Sequence, residues 1–456
     1  MQSFWKLHRI SMLLALGSVS LYFIFAYSLE REDFPKLVAL FVVLFFLGFK
    51  LVTFEKWNFK FLLISGVLFR LVFLLATPNL SQDFYRFIWD GGLINHGINP
   101  YLYTPDELIQ NTNVILSTVD ASHLEELHSG MGNLSARHYS NYPPINQLFF
   151  ALSTFLGVGS LLGSLVWMRL FIIAADLGIL YYGKKLLENL NLRPHLIFWY
   201  FLNPLVIVEL TGNLHFEGVM LFFFVWAIYL MEQGKYLFCA PIYAASIMLK
   251  LVPLLFLPLF LKYLGFKKSL FFYGLTIASC FLFLIPFYDP NLVTNYTKTI
   301  SLWFSNFEFN AGFYNVVKTI AVDYFDEKPW KFIKTYGMLV KIVTLGLILV
   351  LTFFRKHDNL KSVILSMFMV LSCYYFISTT VHPWYICYLI LLGLFTNYRF
   401  ALLWSVLITT SYLTYSQPNF KESYPLLILQ YLMLFGYLFY EMIKNHNIPG
   451  LIRKKS

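Results

Sequence analysis

Apolar runs recur from one end of this 456-residue chain to the other, at residues 10–27, 37–52, 61–77, 162–182, 195–210, 216–231, 270–287, 338–354, 363–377, 384–395, 402–415 and 426–440. A bilayer crossing needs roughly 20 mostly apolar residues, and backbone groups in hydrocarbon must be satisfied within the segment, which selects helix over open strand. With 58% hydrophobic and 13% charged residues, the chain is too apolar to face water over its whole surface. The expectation is an all-α, polytopic membrane protein with roughly 12–14 transmembrane helices and a large exterior loop. Two stretches resist simple counting. Residues 236–262 are interrupted by Pro241, Lys250, Pro253 and Pro258, the pattern of a broken helix or a pair of half-helices. Residues 144–163 read the same way, and Gly159 with Gly163 form a small-residue spacing suited to close helix packing.

The net charge of +10 reports topology rather than nucleic-acid binding, because the basic residues fall in short clusters between apolar runs. Lys184, Lys185 and Arg193; Lys262, Lys267 and Lys268; Arg355, Lys356 and Lys361; and Arg453, Lys454 and Lys455 all fit cytoplasmic segments. With the amino terminus inside, the polar stretch 78–144, the turn 213–217, the segment 288–334 and the helix start at His382 share the opposite face. The first apolar run lacks a small-residue cleavage site and reads as a span. The organisation expected is a membrane module over residues 1–288, including the exterior loop 78–144, followed by an exterior segment and carboxy-terminal helices over 289–456. The cysteines Cys239, Cys280, Cys373 and Cys387 are scattered, indicating neither a disulfide framework nor a thiolate metal site. His123 and His128 match no zinc pattern, so no metal site is expected, and no phosphate loop or dinucleotide fingerprint is present.

Chemistry concentrates in residues 81–103, SQDFYRFIWDGGLINHGINPYLY. Asp83, Arg86 and Asp90 return to one helix face, leaving Phe84, Phe87 and Ile88 for the bilayer. This predicts an interfacial helix broken by Gly91, Gly92 and Gly97. Either Arg86 simply pairs with the acids, or a carboxylate at the edge of a membrane cavity accepts the proton of an attacking hydroxyl. Lys250 either faces that cavity, holding an anion, or snorkels to the interface. His215 and Glu217 either bind hydroxyls or cap the following helix. His382 faces the same compartment as Asp83, with Trp384 and Tyr385 read as an aromatic belt. Glu308 and Asn310 lie in an exterior segment rich in aromatics, which suit sugar stacking as well as anchoring. Arg169 and Asp176 are expected to form a buried pair, with Arg70 as another intramembrane cation.

The run Asp83, Tyr85, Trp89, Asp90, Gly97, Asn99, Pro100, Tyr101, followed by Tyr142, Pro143 and Pro144 opening a span, resembles the GT-C fold glycosyltransferases that use polyprenyl- or dolichyl-phosphate sugars. It is most like the bacterial polyprenyl-phosphate-mannose mannosyltransferases and more distantly similar to the first mannosyltransferase of GPI-anchor synthesis. Asn203-Pro204, NLHFE at 213–217, KLVP at 250–253, FEFN at 307–310 and HPWY at 382–385 follow in the order such proteins show. The resemblance implies Asp83 as catalytic base with Asp90 second; Arg86, Tyr142, His215, Glu217, Lys250, Glu308, Asn310 and His382 are the substrate-binding candidates. It implies a polyprenyl-phosphate sugar as donor, mannose as the sugar, a glycan or lipid acceptor, membrane lipids as partners, and a bacterial inner membrane with the site facing the periplasm. No other cofactor is implied, and a divalent cation is left open. The rival readings are a transporter or flippase of lipid-linked sugars and a polymerase or ligase of surface glycans. The lack of an internal repeat and the one-sided polar groups favour an enzyme over a transporter.

Overall fold

The computed structural model describes residues 2–110, 121–305 and 307–451. Among these residues the protein is helical throughout, and extended pairing is confined to one parallel bridge between Phe309 and Thr380. Among the described residues, seven helices are long and apolar enough to cross a bilayer: His8–Ser28, Phe34–Glu55, Leu161–Asn189, Phe266–Phe287, Pro329–Phe354, Leu360–Ile377 and Tyr424–Asn445. An eighth results if Pro194–Phe201 and Pro204–Gly212, bent by 52°, form one broken span. The all-α polytopic expectation holds. Full-length spans are fewer than the apolar runs because the runs at 61–77, 216–231, 384–395 and 402–415 fold into the shorter helices Phe59–Leu71, Glu217–Glu232, Pro383–Leu394 and Phe400–Ser416.

The interruptions have local causes. Pro204 cannot donate to the preceding turn. Asn203 fills the gap, its Oδ1 accepting from the Leu205 N–H at 3.0 Å and its Nδ2 donating to Ser405 Oγ at 3.1 Å. At residues 236–264 the two half-helices foreseen above do form, and the broken end leaves carbonyls in need of donors. Those of Met248 and Leu249 accept from the Ile145 N–H at 3.0 Å and from Asn146 Nδ2 at 2.7 Å. The amino end of the Pro144–Leu156 helix thus caps the carboxy end of Tyr236–Ile247, which fixes the position of Lys250. The small-residue spacing has a different role from helix packing between spans. Gly159 adopts φ +70° in the turn between helices, and a Cβ on Gly163 would lie 2.6 Å from the Gly157 carbonyl oxygen of that same turn.

The apolar side of the Asp83–Asn95 helix meets protein rather than the bilayer. Phe84, Phe87 and Ile88 are at most 2% exposed, because this helix lies directly on Pro144–Leu156. A Cβ on Gly91 would meet the Phe150 carbonyl oxygen at 2.4 Å, so Gly91 permits close contact within a continuous helix rather than breaking it, and the chain turns only at Gly97, φ +75°. Arg70, not Arg169, pairs with Asp176, Nε to Oδ2 at 2.7 Å with both side chains fully buried. Arg169 instead donates to the Leu74 carbonyl at 3.2 Å and to those of Thr211 and Gly212 at 3.1 and 3.2 Å, the last two being acceptors released where the Ile207–Gly212 π-helical turn ends.

Basic residues gather at one end of the bundle. Lys184 lies over the Phe59 ring, and Lys262 Nζ donates to the Phe353 carbonyl at 2.6 Å and that of Arg355 at 3.3 Å. At the other end Asn79 Nδ2 donates to the carbonyls of Phe25 and Leu29 at 2.8 and 3.1 Å, and the Leu80 N–H to Asn213 Oδ1 at 3.3 Å. The turn after the first helix, the approach to Asp83 and the 213–216 turn are therefore one assembly. The tail cations Arg453, Lys454 and Lys455 lie outside the described residues.

Candidate active site

Where the π-helical turn ends, Leu214 adopts φ +63° and the chain reverses, carrying His215 inward. His215 Nδ1 lies 3.0 Å from the Glu209 carbonyl oxygen and 3.2 Å from Glu209 Oε2, and Nε2 lies 4.0 Å from Asp83 Oδ2. The fully buried Glu209 carboxylate also accepts from the Tyr412 hydroxyl. Burial disfavours the imidazolium, but the carboxylates of Glu209, Glu217 and Asp83 outweigh it and raise the His215 pKa above its ordinary value.

Asp83 opens its helix, where the helix dipole favours a carboxylate. Its side chain is 41% exposed, whereas those of Glu209 and Asp90 are fully buried and that of Glu217 is 7% exposed. Asp90 accepts from Arg86 Nε at 2.7 Å, Ser140 Oγ at 2.6 Å and Gln147 Nε2 at 2.9 Å. Arg86 Nη1 donates to the carbonyls of Ser135 and His138 at 2.8 and 2.9 Å. This geometry puts Asp90 and Arg86 in the scaffold that closes the polar loop onto the helix. The expectation gave both a role at the substrate; the structure shows their side chains engaged with these protein partners.

Lys250 Nζ lies 2.9 Å from Glu217 Oε1 and 5.5 Å from the centroid of the Tyr142 ring. Glu217 begins the Glu217–Glu232 helix without capping it through its side chain, so the ion pair, not the cap, explains its position. Tyr142 is held through its backbone, its carbonyl accepting from the Tyr101 hydroxyl at 2.5 Å. Asn99 in turn donates to the Phe287 carbonyl at 2.9 Å and accepts from the Tyr101 N–H at 3.1 Å. The Asn-Pro-Tyr and Tyr-Pro-Pro motifs are thus parts of one support.

The far wall comes from the carboxy-terminal half. Through the bridge, the Phe309 N–H donates to the Thr379 carbonyl at 3.0 Å and the Val381 N–H to the Phe309 carbonyl at 2.8 Å, which brings His382 beside the site. His215, Trp384, His382 and Phe309 form one continuous stack, with successive centroids 3.8, 4.3 and 5.0 Å apart. Trp384 therefore packs in the site rather than in an aromatic belt. Burial, helped by the nearby His215, Lys250 and Arg31 cations, lowers the His382 pKa to about 3, so this ring stays neutral at physiological pH.

Glu308 pairs with a lysine, and Asn310 is held through its backbone. Glu308 Oε1 lies 2.6 Å from Lys318 Nζ. Asn310, at φ +50°, donates its N–H to Glu422, and its carbonyl accepts from Tyr431 at 2.9 Å. They hold the strap that presents Phe309 and His382.

Sequence reasoning missed Glu209 and Tyr412, which sit inside apolar runs. It also missed Arg31 beside Tyr415, whose ring centroid is 3.5 Å from the guanidinium carbon. A lone carboxylate in an apolar span was the available signal for Glu209. Among the described residues, no group of three or more His, Cys, Asp or Glu side chains is placed to hold a metal ion.

An exposed carboxylate beside an imidazole, backed by an aromatic wall and rimmed by cations, suits proton abstraction from a hydroxyl next to an anionic group. Residues 37–264 match the family described as alpha-(1->6)-mannopyranosyltransferase, N-terminal domain. The chain belongs to this family. A curated relative, alpha-(1->6)-mannopyranosyltransferase A of Mycobacterium tuberculosis (strain ATCC 25618 / H37Rv), is 24% identical over 163 residues, covering 36% of this chain and 29% of the relative. The aligned segment thus spans under a third of that relative's length. Within the mannopyranosyltransferase match fall Asp83, Tyr142, Glu209, His215, Glu217 and Lys250. Arg31, Phe309, His382, Trp384 and Tyr412 lie outside it.

Proposed function

We propose that this protein transfers mannose from a polyprenyl-phosphate-mannose donor to a hydroxyl of a glycan or lipid acceptor, at the non-cytoplasmic face of a bacterial inner membrane. The acceptor oxygen forms the new bond to the anomeric carbon while the bond from that carbon to the phosphate oxygen breaks. Attack from the side opposite the leaving phosphate inverts the anomeric centre. Asp83 takes the acceptor proton, and the lipid phosphate departs as an anion that needs no proton from the enzyme. The observation that carries this reading is the placement of Asp83, the one carboxylate of its group with an exposed side chain, 4.0 Å from His215, in a member of the mannopyranosyltransferase family. His215 in its charged form attracts the Asp83 carboxylate and helps to orient it. The stacked His215, Trp384, His382 and Phe309 rings wall the site beside Asp83. The gathering of Lys and Arg at the opposite end of the bundle supports the assigned side.

The test is mannose transfer from synthetic polyprenyl-phosphate-mannose to a mannoside acceptor in proteoliposomes. Transfer by the native chain and its loss in Asp83→Asn are expected. Movement of the lipid-linked sugar across the bilayer without any glycoside product would replace the transferase with a flippase.

A further inference from the structure

Most cations around the site are already engaged. Arg86 is locked to Asp90 and two carbonyls, and Lys250 is paired with Glu217 at 2.9 Å. Arg31 differs. It lies in the turn between Gln2–Ser28 and Phe34–Glu55, its guanidinium carbon 3.5 Å from the Tyr415 ring centroid. Its Nε is buried without a hydrogen-bond partner. Glu30, Glu32 and Asp33 flank it in sequence, yet among the described residues Arg31 makes no ion pair.

A guanidinium with a buried Nε, a tyrosine beside it and no carboxylate partner is poised for an anion from elsewhere. Its position fits that role. The Asn79 hydrogen bonds to Phe25 and Leu29 fasten this turn to the segment leading into Asp83. Tyr415 lies 6.0 Å from Phe309, which stacks on His382 at 5.0 Å, and 6.1 Å from Tyr412, the partner of Glu209. Both the Arg31 cation and the Asp83 carboxylate act on Tyr415, so acid and cation border the same space.

We propose that Arg31 binds the phosphate of the lipid-linked sugar, its Nη groups donating to the non-bridging oxygens and stabilising the charge that develops as the carbon–oxygen bond breaks. This rests on the reading of the chain as a lipid-phosphate-dependent transferase, and it gives the donor phosphate a residue outside the family-matched segment 37–264. The Tyr415 ring holds the planar fork in place.

The experiment measures binding of polyprenyl phosphate, the sugar-free product, to the purified full chain, with transfer followed in parallel. The native protein is expected to bind polyprenyl phosphate at least about tenfold more tightly than polyprenol, and Arg31→Gln to erase most of that difference. Arg31→Lys is expected to retain part of it, and Asp83→Asn to bind polyprenyl phosphate at least as tightly as the native chain does while failing to transfer. Equal binding of phosphate and alcohol by the native chain would overturn the proposal without needing any variant, as would undiminished phosphate binding in Arg31→Gln. Arg31-dependent binding with no mannose transfer would leave the phosphate site standing and remove the transferase reading.

Discussion

Asp83 and Asp90 share a helix face, but their surroundings give them separate work. Every strong partner available to Asp90 is already bonded to it, whereas the Asp83 carboxylate keeps 41% of its side chain exposed with His215 Nε2 at 4.0 Å. Asp83→Asn is therefore expected to lower turnover by about a hundred- to ten-thousand-fold with little change in thermal unfolding. Asp90→Asn leaves Arg86 buried without its counter-charge and is expected to cost about 3–5 kcal/mol of stability. Unfolding midpoints in detergent, read beside initial rates, separate the two outcomes. His215 adds a pH dependence. Its pKa is raised in the folded protein, so its contribution to stability is complete below the unfolded value of about 6.5 and disappears as pH rises through the folded value. The unfolding midpoint of the native chain should fall over that alkaline interval, and His215→Phe should flatten the fall. An equally steep fall in the variant would assign it to another group.

Single helices position these side chains less than junctions between broken ones do. The carbonyls left at the end of Tyr236–Ile247 are taken up by Ile145 and Asn146, so Lys250 and Tyr142 are fixed by one joint. Asn146→Leu removes the donor to the Leu249 carbonyl and is expected to cost about 1–3 kcal/mol. It should also raise KM more than it lowers kcat, because the Glu217–Lys250 pair beside the site shifts while Asp83 remains on its own helix. A kinetic profile in which kcat alone falls would detach this joint from substrate binding. Prolines at 241, 253 and 258 made the broken segment readable in the sequence. What took up its freed carbonyls was not readable, because the donors lie about a hundred residues away. The Asp83 helix misled for a related reason. Its apolar residues have the spacing of a membrane-facing stripe, and only the fit of Gly91 against Phe150 reveals that protein, not lipid, covers them.

Across the whole molecule, the all-helical membrane fold and the convergence of motifs on one end were legible, because hydropathy and charge bias act locally along the chain. Partner choice inside the bundle was not. Arg169 and Asp176 carry the spacing of a pair within one helix, yet Asp176 pairs with Arg70 from another helix, and Arg169 serves carbonyls exposed by a π-helical turn. Glu209, the buried partner of His215, was hidden in an apolar run, and its role emerges only once Tyr412 is brought from the carboxy-terminal half. The same global arrangement sets the sidedness on which the proposed reaction depends. Glu308 lies on the strap beside the site, with its side chain 40% exposed, and the exposed Asp358 follows the basic turn at Arg355. The natural cysteines Cys239 and Cys387 are buried, so replacing the half-buried Cys280 and Cys373 by alanine gives a quiet background. Glu308→Cys in that background is expected to react with a membrane-impermeant maleimide in intact spheroplasts, and Asp358→Cys only after permeabilisation. The reverse pattern would move the site to the cytoplasmic face, where a nucleotide sugar, rather than a lipid-linked one, would be the accessible donor.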